Sequence, residues 1–150
     1  MNWIGIACAV VFAMVLGFIW YSPKTPMGRV WMRGQGMDPN HMPKPPAGKL
    51  VMGLVIMLIG SFLTWFVFAH TFAVYLDSFR NVATGGDADY KMGAMDGIMG
   101  GVFTWLGFFL PMTMGAVAWE NKSWGYALNN ALFYLITMVV GGLLLVYVGA

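Results

Sequence analysis

Four long stretches of the chain contain no Asp, Glu, Lys or Arg: residues 1–23, 50–76, 97–119 and 123–150. Every one of the 8 basic and 6 acidic side chains lies between them. A helix needs about 20 apolar residues to cross a hydrocarbon core roughly 30 Å thick. Lipid offers backbone N–H and C=O groups no partners, so a crossing segment is a helix or part of a closed barrel. These runs are continuously apolar and do not alternate at period two, which argues against a barrel. The sequence therefore predicts an all-α polytopic membrane protein with four transmembrane helices in a tight bundle. The spans fall at about 3–21, 50–76, 94–119 and 124–148, in one domain covering 1–150. Composition agrees. Only 9% of residues are charged and 59% are hydrophobic, whereas a soluble domain carries roughly 25% charge.

The first span has no basic leader and too long an apolar run for a cleaved signal, so it is expected to stay as a helix. Cys8 is the single cysteine, which excludes an internal disulfide. Loop charges set the expected orientation. Lys24, Arg29, Arg33, Lys44 and Lys49 lie in the first loop and Lys122 in the third, against Arg80 and Lys91 in the second. Loops 22–49 and 120–123 are thus expected in the cytoplasm and both termini outside. The second loop is the acidic one, with Asp77, Asp87 and Asp89.

The first loop holds six of the seven prolines. Within it, Thr25 can cap a helix, Pro26 can occupy its first position and Gly34 can end it. Met27, Val30 and Trp31 share one face of that helix, and Arg29 and Arg33 another. This pattern predicts an interfacial helix over about 26–34, its apolar side in lipid and its arginines at phosphates. Arg29, Trp31 and Arg33 are therefore the candidate lipid-binding residues.

Small residues recur every four positions along two spans: Gly5, Ala9, Ala13 and Gly17 in the first, and Gly93, Gly97 and Gly101 in the third. Such faces let helix backbones approach closely where hydrophobicity no longer drives association. Looser versions, Gly53 with Gly60 and Gly141 with Gly142, occur in the other two. The segment 16–31 also resembles 106–119, pairing Leu16, Gly17 and Phe18 with Leu106, Gly107 and Phe108. Two duplicated helix pairs would leave this trace, and parallel repeats of that kind occur in transporters. Chance matching of common membrane residues is the other reading.

The opening Asn2–Trp3, the "GFIWYSP" run at 17–23 with "GRVW" after it, "LGFFLP" at 106–111, "WENKSW" at 119–124 and "NNALFYL" at 129–135 together resemble a family of small bacterial membrane proteins. That family is catalogued only as a domain of unknown function. The resemblance implies four spans and the bacterial inner membrane, and it brings no substrate or catalytic residue. The Met- and Pro-rich stretch 35–48 departs from the family pattern.

Ionisable groups inside spans are costly and mark functional candidates. His70 and Asp96 lie at comparable depth near one side, where they can pair to relay a proton or hold a cation; the alternative places Asp96 among headgroups and His70 on a backbone carbonyl. On the other side Tyr21, Glu120, Tyr126, Asn129 and Asn130 can gather, as interhelical glue or as a polar vestibule. Pro111 frees a carbonyl in the third span, where a kink or binding notch is expected. Met92, Met95 and Met99 share a face that suits Cu(I), although Met is also an ordinary apolar filler; no metal or other cofactor is expected. Nucleophile, zinc-protease, phosphate-loop and dinucleotide motifs are missing, so no enzyme is expected. No basic domain suggests a nucleic-acid partner. Two roles remain: a transporter or permeation unit for a small neutral or weakly charged solute, or a non-catalytic accessory subunit of a larger membrane complex. Either is expected to work in the bilayer as a homo-oligomer or within a larger assembly.

Overall fold

Helix ends explain how the spans are anchored. A computed structural model describes residues 2–41, 45–83 and 92–148, the side chains of 73 and 75–83 excepted. In it Asn2 caps α1 (Trp3–Trp20), its Oδ1 accepting from the Gly5 N–H at 2.8 Å. The same side chain donates from Nδ2 to the Leu145 carbonyl at 3.0 Å and to the Val148 carbonyl. Leu145 lies in the last turn of the final helix, where carbonyls have no partner within the helix. One asparagine thus serves a helix start and a helix end, and joins the two ends of the chain.

Helix α2 (Pro26–Gly34) begins on Thr25, whose Oγ1 accepts from the Gly28 N–H at 3.1 Å. Its last residue is Gly34, as expected, but the turn that closes it lies two residues further on. Gly36 takes the left-handed conformation (φ 76°), and the Gly36 and Met37 amides donate to the Arg33 and Met32 carbonyls. That double closure needs a residue free of Cβ strain, so Gly36 is the terminator. Gly34 serves a different purpose: a Cβ there would stand 2.4 Å from the Tyr126 ring. The buried residues of α2 are Gly28 and Met32, while Met27 and Val30 are exposed. Of the stripe assigned to lipid, Met27 and Val30 are thus exposed, and Trp31 is half-buried.

Helix α3 (Ala47–Ala83) starts after Pro46, whose carbonyl accepts from Lys49 and Leu50. Its membrane-compatible part is Ala47–Phe72, and the helix continues 11 residues past it. The third span is two helices, α4 (Ala94–Thr104) and α5 (Leu110–Trp119), joined by a π-helical turn over Trp105–Phe109. Proline at 111 lacks an N–H and its ring crowds the carbonyl four residues earlier. The widened turn, with Leu110 N–H bonded to the Trp105 carbonyl, accommodates both. Helix α6 (Trp124–Tyr147) begins on Ser123, whose Oγ accepts from the Tyr126 N–H at 3.2 Å. Asn121 turns the chain between α5 and α6 with a positive φ of 56°. Asp87, Asp89, Lys91 and Lys44 lie outside the described residues, as do the side chains of Asp77 and Arg80.

The four spans are long and apolar enough to cross a membrane, and the chain is an all-helical bundle among the described residues. Helix α6 is its axis, half buried, and packs on α1, α2, α4 and α5. Helix α3 is peripheral, only 6% buried over its span, and packs chiefly on α1. The closest approach joins α4 to α6. A Cβ on Gly97 would lie 2.9 Å from the Gly142 backbone, and one on Gly101 2.5 Å from the Met138 carbonyl oxygen. Backbone in contact with backbone cannot yield, so glycine is required there. Helix α3 reaches the bundle through rings instead. Trp65 fills the notch over Gly141, and Phe72 the one over Gly100. These rings join Ile6, Ala9, Val10, Phe68 and Met138 in the core.

The other small residues on the expected stripes do different work. The space at Gly5 admits the Asn2 side chain, and Gly17 has ordinary contact with Phe133. Ala9 is fully buried in the core, while Ala13 borders a cavity. Gly93 precedes α4 as its extended N-cap, with its N–H bonded to Asp96 Oδ2 at 2.8 Å.

Candidate ligand-binding cavity

The face that α4 offers to α6 changes character along the helix. Four-residue steps from Gly97 lead to Gly101, Trp105 and Phe109. Trp105 donates from Nε1 to the Ala131 carbonyl at 2.7 Å, and Phe109 stacks on Tyr134 with centroids 4.7 Å apart. Rings where glycines had been hold the helices apart, and beyond the π turn α5 diverges from α6. A cavity of about 960 Å³ occupies the opened half of the bundle, on the side of α2. Along α6 it is lined from Tyr126 to Met138, a rise of roughly 18 Å at 1.5 Å per residue. Trp65, Thr137 and Met138 line its deep end, and Ser22, Gln35 and Glu120 line the end nearest the loops.

The lining is apolar with a graded set of oxygens. Tyr21 donates from its hydroxyl to Asn130 Oδ1 at 2.8 Å, and Asn130 Nδ2 donates to the Tyr126 carbonyl at 3.0 Å. Tyr21 also packs edge-on to Trp31, with centroids 5.2 Å apart. Thr64, Thr113 and Thr137 donate to carbonyls of their own helices, those of Gly60, Leu110 and Phe133. One lining hydroxyl is not satisfied: Ser61 Oγ is buried with no partner. At the loop end α2 is tied across the mouth. Lys122 Nζ donates to the Gly34 carbonyl at 2.9 Å, and Gln35 Nε2 donates to the Tyr126 hydroxyl at 3.0 Å. A second, more apolar cavity of about 650 Å³ lies between α3 and α4, sharing Thr64, Phe109 and Met138 with the first.

The structure brings some candidate residues together and separates others. Tyr21, Glu120, Tyr126 and Asn130 all line the large cavity, together with Trp31. Trp31 is thus turned inward against Tyr21, not into lipid. Arg29 and Arg33 are exposed, with Arg29 Nε bonded to the Pro23 carbonyl at 3.0 Å. Asn129 points elsewhere, its Nδ2 buried without a partner. Pro111 acts indirectly, through the π turn before it. His70 and Asp96 do not pair: His70 Nδ1 contacts the Phe66 carbonyl at 2.6 Å, and the Asp96 carboxylate accepts from Gly93. The other histidine, His41, contacts Asp38 in the first loop at 2.7 Å. The Asn40 amide, then His41, hold the Asp38 carboxyl below its usual range. Met92, Met95 and Met99 are exposed, and no group of three or more His, Cys, Asp or Glu gathers among the described residues.

Sequence reasoning passed over Gln35, Ser61, Trp65, Thr113, Tyr134 and Thr137. Ser61, Thr113 and Thr137 carried a visible signal, since each is an aliphatic hydroxyl inside a span. The others depend on which helix faces which. No curated protein and no solved structure matches the chain. The model of a family described as a protein of unknown function (DUF1761) matches residues 4–146, and the chain belongs to that family.

Proposed function

We propose that this membrane protein binds a small neutral or weakly charged solute in the cavity beside α2 and passes it into or across the membrane. The cavity carries this reading. It has the size of a small-molecule site, a mostly apolar wall and a few placed polar groups, as such sites do. Its lining runs from Gln35 and Glu120 on the loop side to Trp65 and Met138 within the bundle.

The glycines favour this reading over an accessory subunit. A chain built to pack beside a larger partner would turn its tight small-residue contacts outward. Here the tight contacts, at Gly97, Gly100, Gly101, Gly141 and Gly142, all lie inside the bundle, while Gly53, Gly60, Gly107 and Gly115 meet no neighbour.

Native mass spectrometry after gentle extraction from the source membrane tests the proposal. The expected result is the chain, alone or as a homo-oligomer, carrying a retained small molecule. That molecule should be lost from Gly60→Phe, because Gly60 borders the cavity and a Cβ there meets nothing within 4 Å. Stoichiometric larger subunits with no small molecule would overturn the proposal and make the chain an accessory component.

A further inference from the structure

We infer that the ligand is a small organic ammonium compound with an apolar body, a class that rests on the cavity's being a binding site. Among the described residues, the one formally charged group in the wall is Glu120, at the loop end. The nearest cation in sequence, Lys122, does not line the cavity and is committed to the Gly34 carbonyl. An anion would therefore enter a wall with no positive charge, at high cost in an apolar surround.

Hydrogen-bond polarity points the same way. The hydroxyl protons of Tyr21, Thr64, Thr113 and Thr137 are already donated within the protein. What these groups still present is oxygen lone pairs, which accept. Ser61 Oγ is buried with no partner, and its hydroxyl can turn to accept as well. An ammonium group is donor only, so its chemistry complements these oxygens.

Aromatic faces add to the match. Tyr21, Trp31, Phe133 and Tyr134 surround the same half of the cavity, and Tyr21 lies 5.0 Å from Phe133 by ring centroids. Ring faces attract cations, more strongly where water is excluded. The apolar body then extends toward Trp65, Met138 and the gap beside α3, where the second cavity shares the wall. The charged head sits toward Glu120 and the tail toward the membrane interior.

The test is equilibrium dialysis with the protein in phosphatidylcholine nanodiscs, against empty nanodiscs. The probes are 4-phenylbutylammonium, 4-phenylbutanol and 5-phenylpentanoate, which share a tail and differ in head. The ammonium is expected to bind about 10-fold more tightly than the alcohol, and the carboxylate no better than to empty nanodiscs. Glu120→Gln is expected to bring the ammonium to within about 3-fold of the alcohol. Glu120 is exposed and makes no hydrogen bond or ion pair through its side chain, so this variant should melt like the parent. Alcohol bound as tightly as ammonium by the parent overturns the ammonium assignment and leaves the cavity reading standing, and a full 10-fold preference kept in Glu120→Gln overturns the placing of the charged head at Glu120. Preference for the carboxylate overturns it too. If no probe binds above empty nanodiscs, the cavity reading itself fails.

Discussion

The two ends of the bundle are built on opposite principles. Where α4 crosses the end of α6, Gly97 and Gly101 bring backbone against backbone. Where α5 passes the start of α6, rings of Trp105, Phe109 and Tyr134 intervene, and a cavity opens. The composition of both ends is apolar, so hydrophobicity does not distinguish them. In lipid it cannot, because a side chain leaving lipid for protein stays in an apolar medium. Side-chain volume at the facing positions decides the spacing. Glycine content alone does not decide it either. Gly107 and Gly115, in and after the π turn, face open space, and the helix gains no close contact from them.

Breaking the closed end should have the largest effect. Gly97→Leu drives a branched side chain into the Gly142 backbone, which cannot move aside. A loss of about 3 kcal/mol or more is expected, read as a large drop in thermal unfolding temperature in mild detergent. Gly115→Ala is the contrasting change. Nothing lies within 4 Å of its added Cβ, and alanine is the better helix former, so its melting temperature should hold or rise slightly. Equal losses in the two variants would show that the crossing is not where the bundle is held.

Trp65 stands at the boundary between the two ends, seated over Gly141 and flooring the cavity. Trp65→Ala should cost about 3 kcal/mol, at the lower edge for a buried ring because lipid can refill part of the space. It should also extend the cavity toward the closed end. A variant as stable as the parent would mean that α3 is held by α1 alone.

How much of this was legible in the sequence follows from the same physics. The four spans were legible because charge is excluded from hydrocarbon, and no packing detail can override that. The Gly97–Gly101 step was legible because the spacing of small residues follows helix geometry. The contacts of α2 with the bundle were not. The Met27, Val30 and Trp31 stripe was expected in lipid, yet Trp31 packs on Tyr21, and the buried residues, Gly28 and Met32, carried no pattern. Gly28 is needed because a Cβ there would strike the Ser22 carbonyl, a contact set by the fold of the loop. His70 and Asp96 share a depth, but depth fixes one coordinate and leaves the angle around each helix free. At the candidate cavity Tyr21, Glu120 and Asn130 stood out as polar groups at span ends. Tyr134 and Trp65 did not, because an aromatic in a span looks the same facing lipid or a cavity.

Asn2 sharpens the comparison at the closed end. Its side chain bonds Gly5 N, Leu145 O and Val148 O, and so ties the start of α1 to the end of α6. Asn2→Ala removes the cap and leaves carbonyls unpaired, for an expected loss of about 1–2 kcal/mol. The loss should appear as faster amide exchange in the first turn of α1 and the last of α6. Exchange that rises at the cavity end instead would mean that the two ends are mechanically coupled.

The smallest effect is expected at the open end, where α2 is held by polar contacts and one buried methionine. Lys122 Nζ bonds the Gly34 carbonyl, near the C-terminus of α2, where a cation also suits the helix dipole. Its ammonium lies 5.5 Å from the centre of the Tyr126 ring. Lys122→Met keeps most of the apolar stem and removes both interactions, so about 1 kcal/mol is expected. Because this contact joins two local elements, the global melting temperature should barely change. Amide exchange in α2 should rise several-fold while α4 and the end of α6 stay protected. That outcome would place α2 as a separately opening cover on the cavity mouth. Unchanged exchange in α2 would assign its docking to Met32 and to the contact of Gly34 with Tyr126, which the substitution leaves in place.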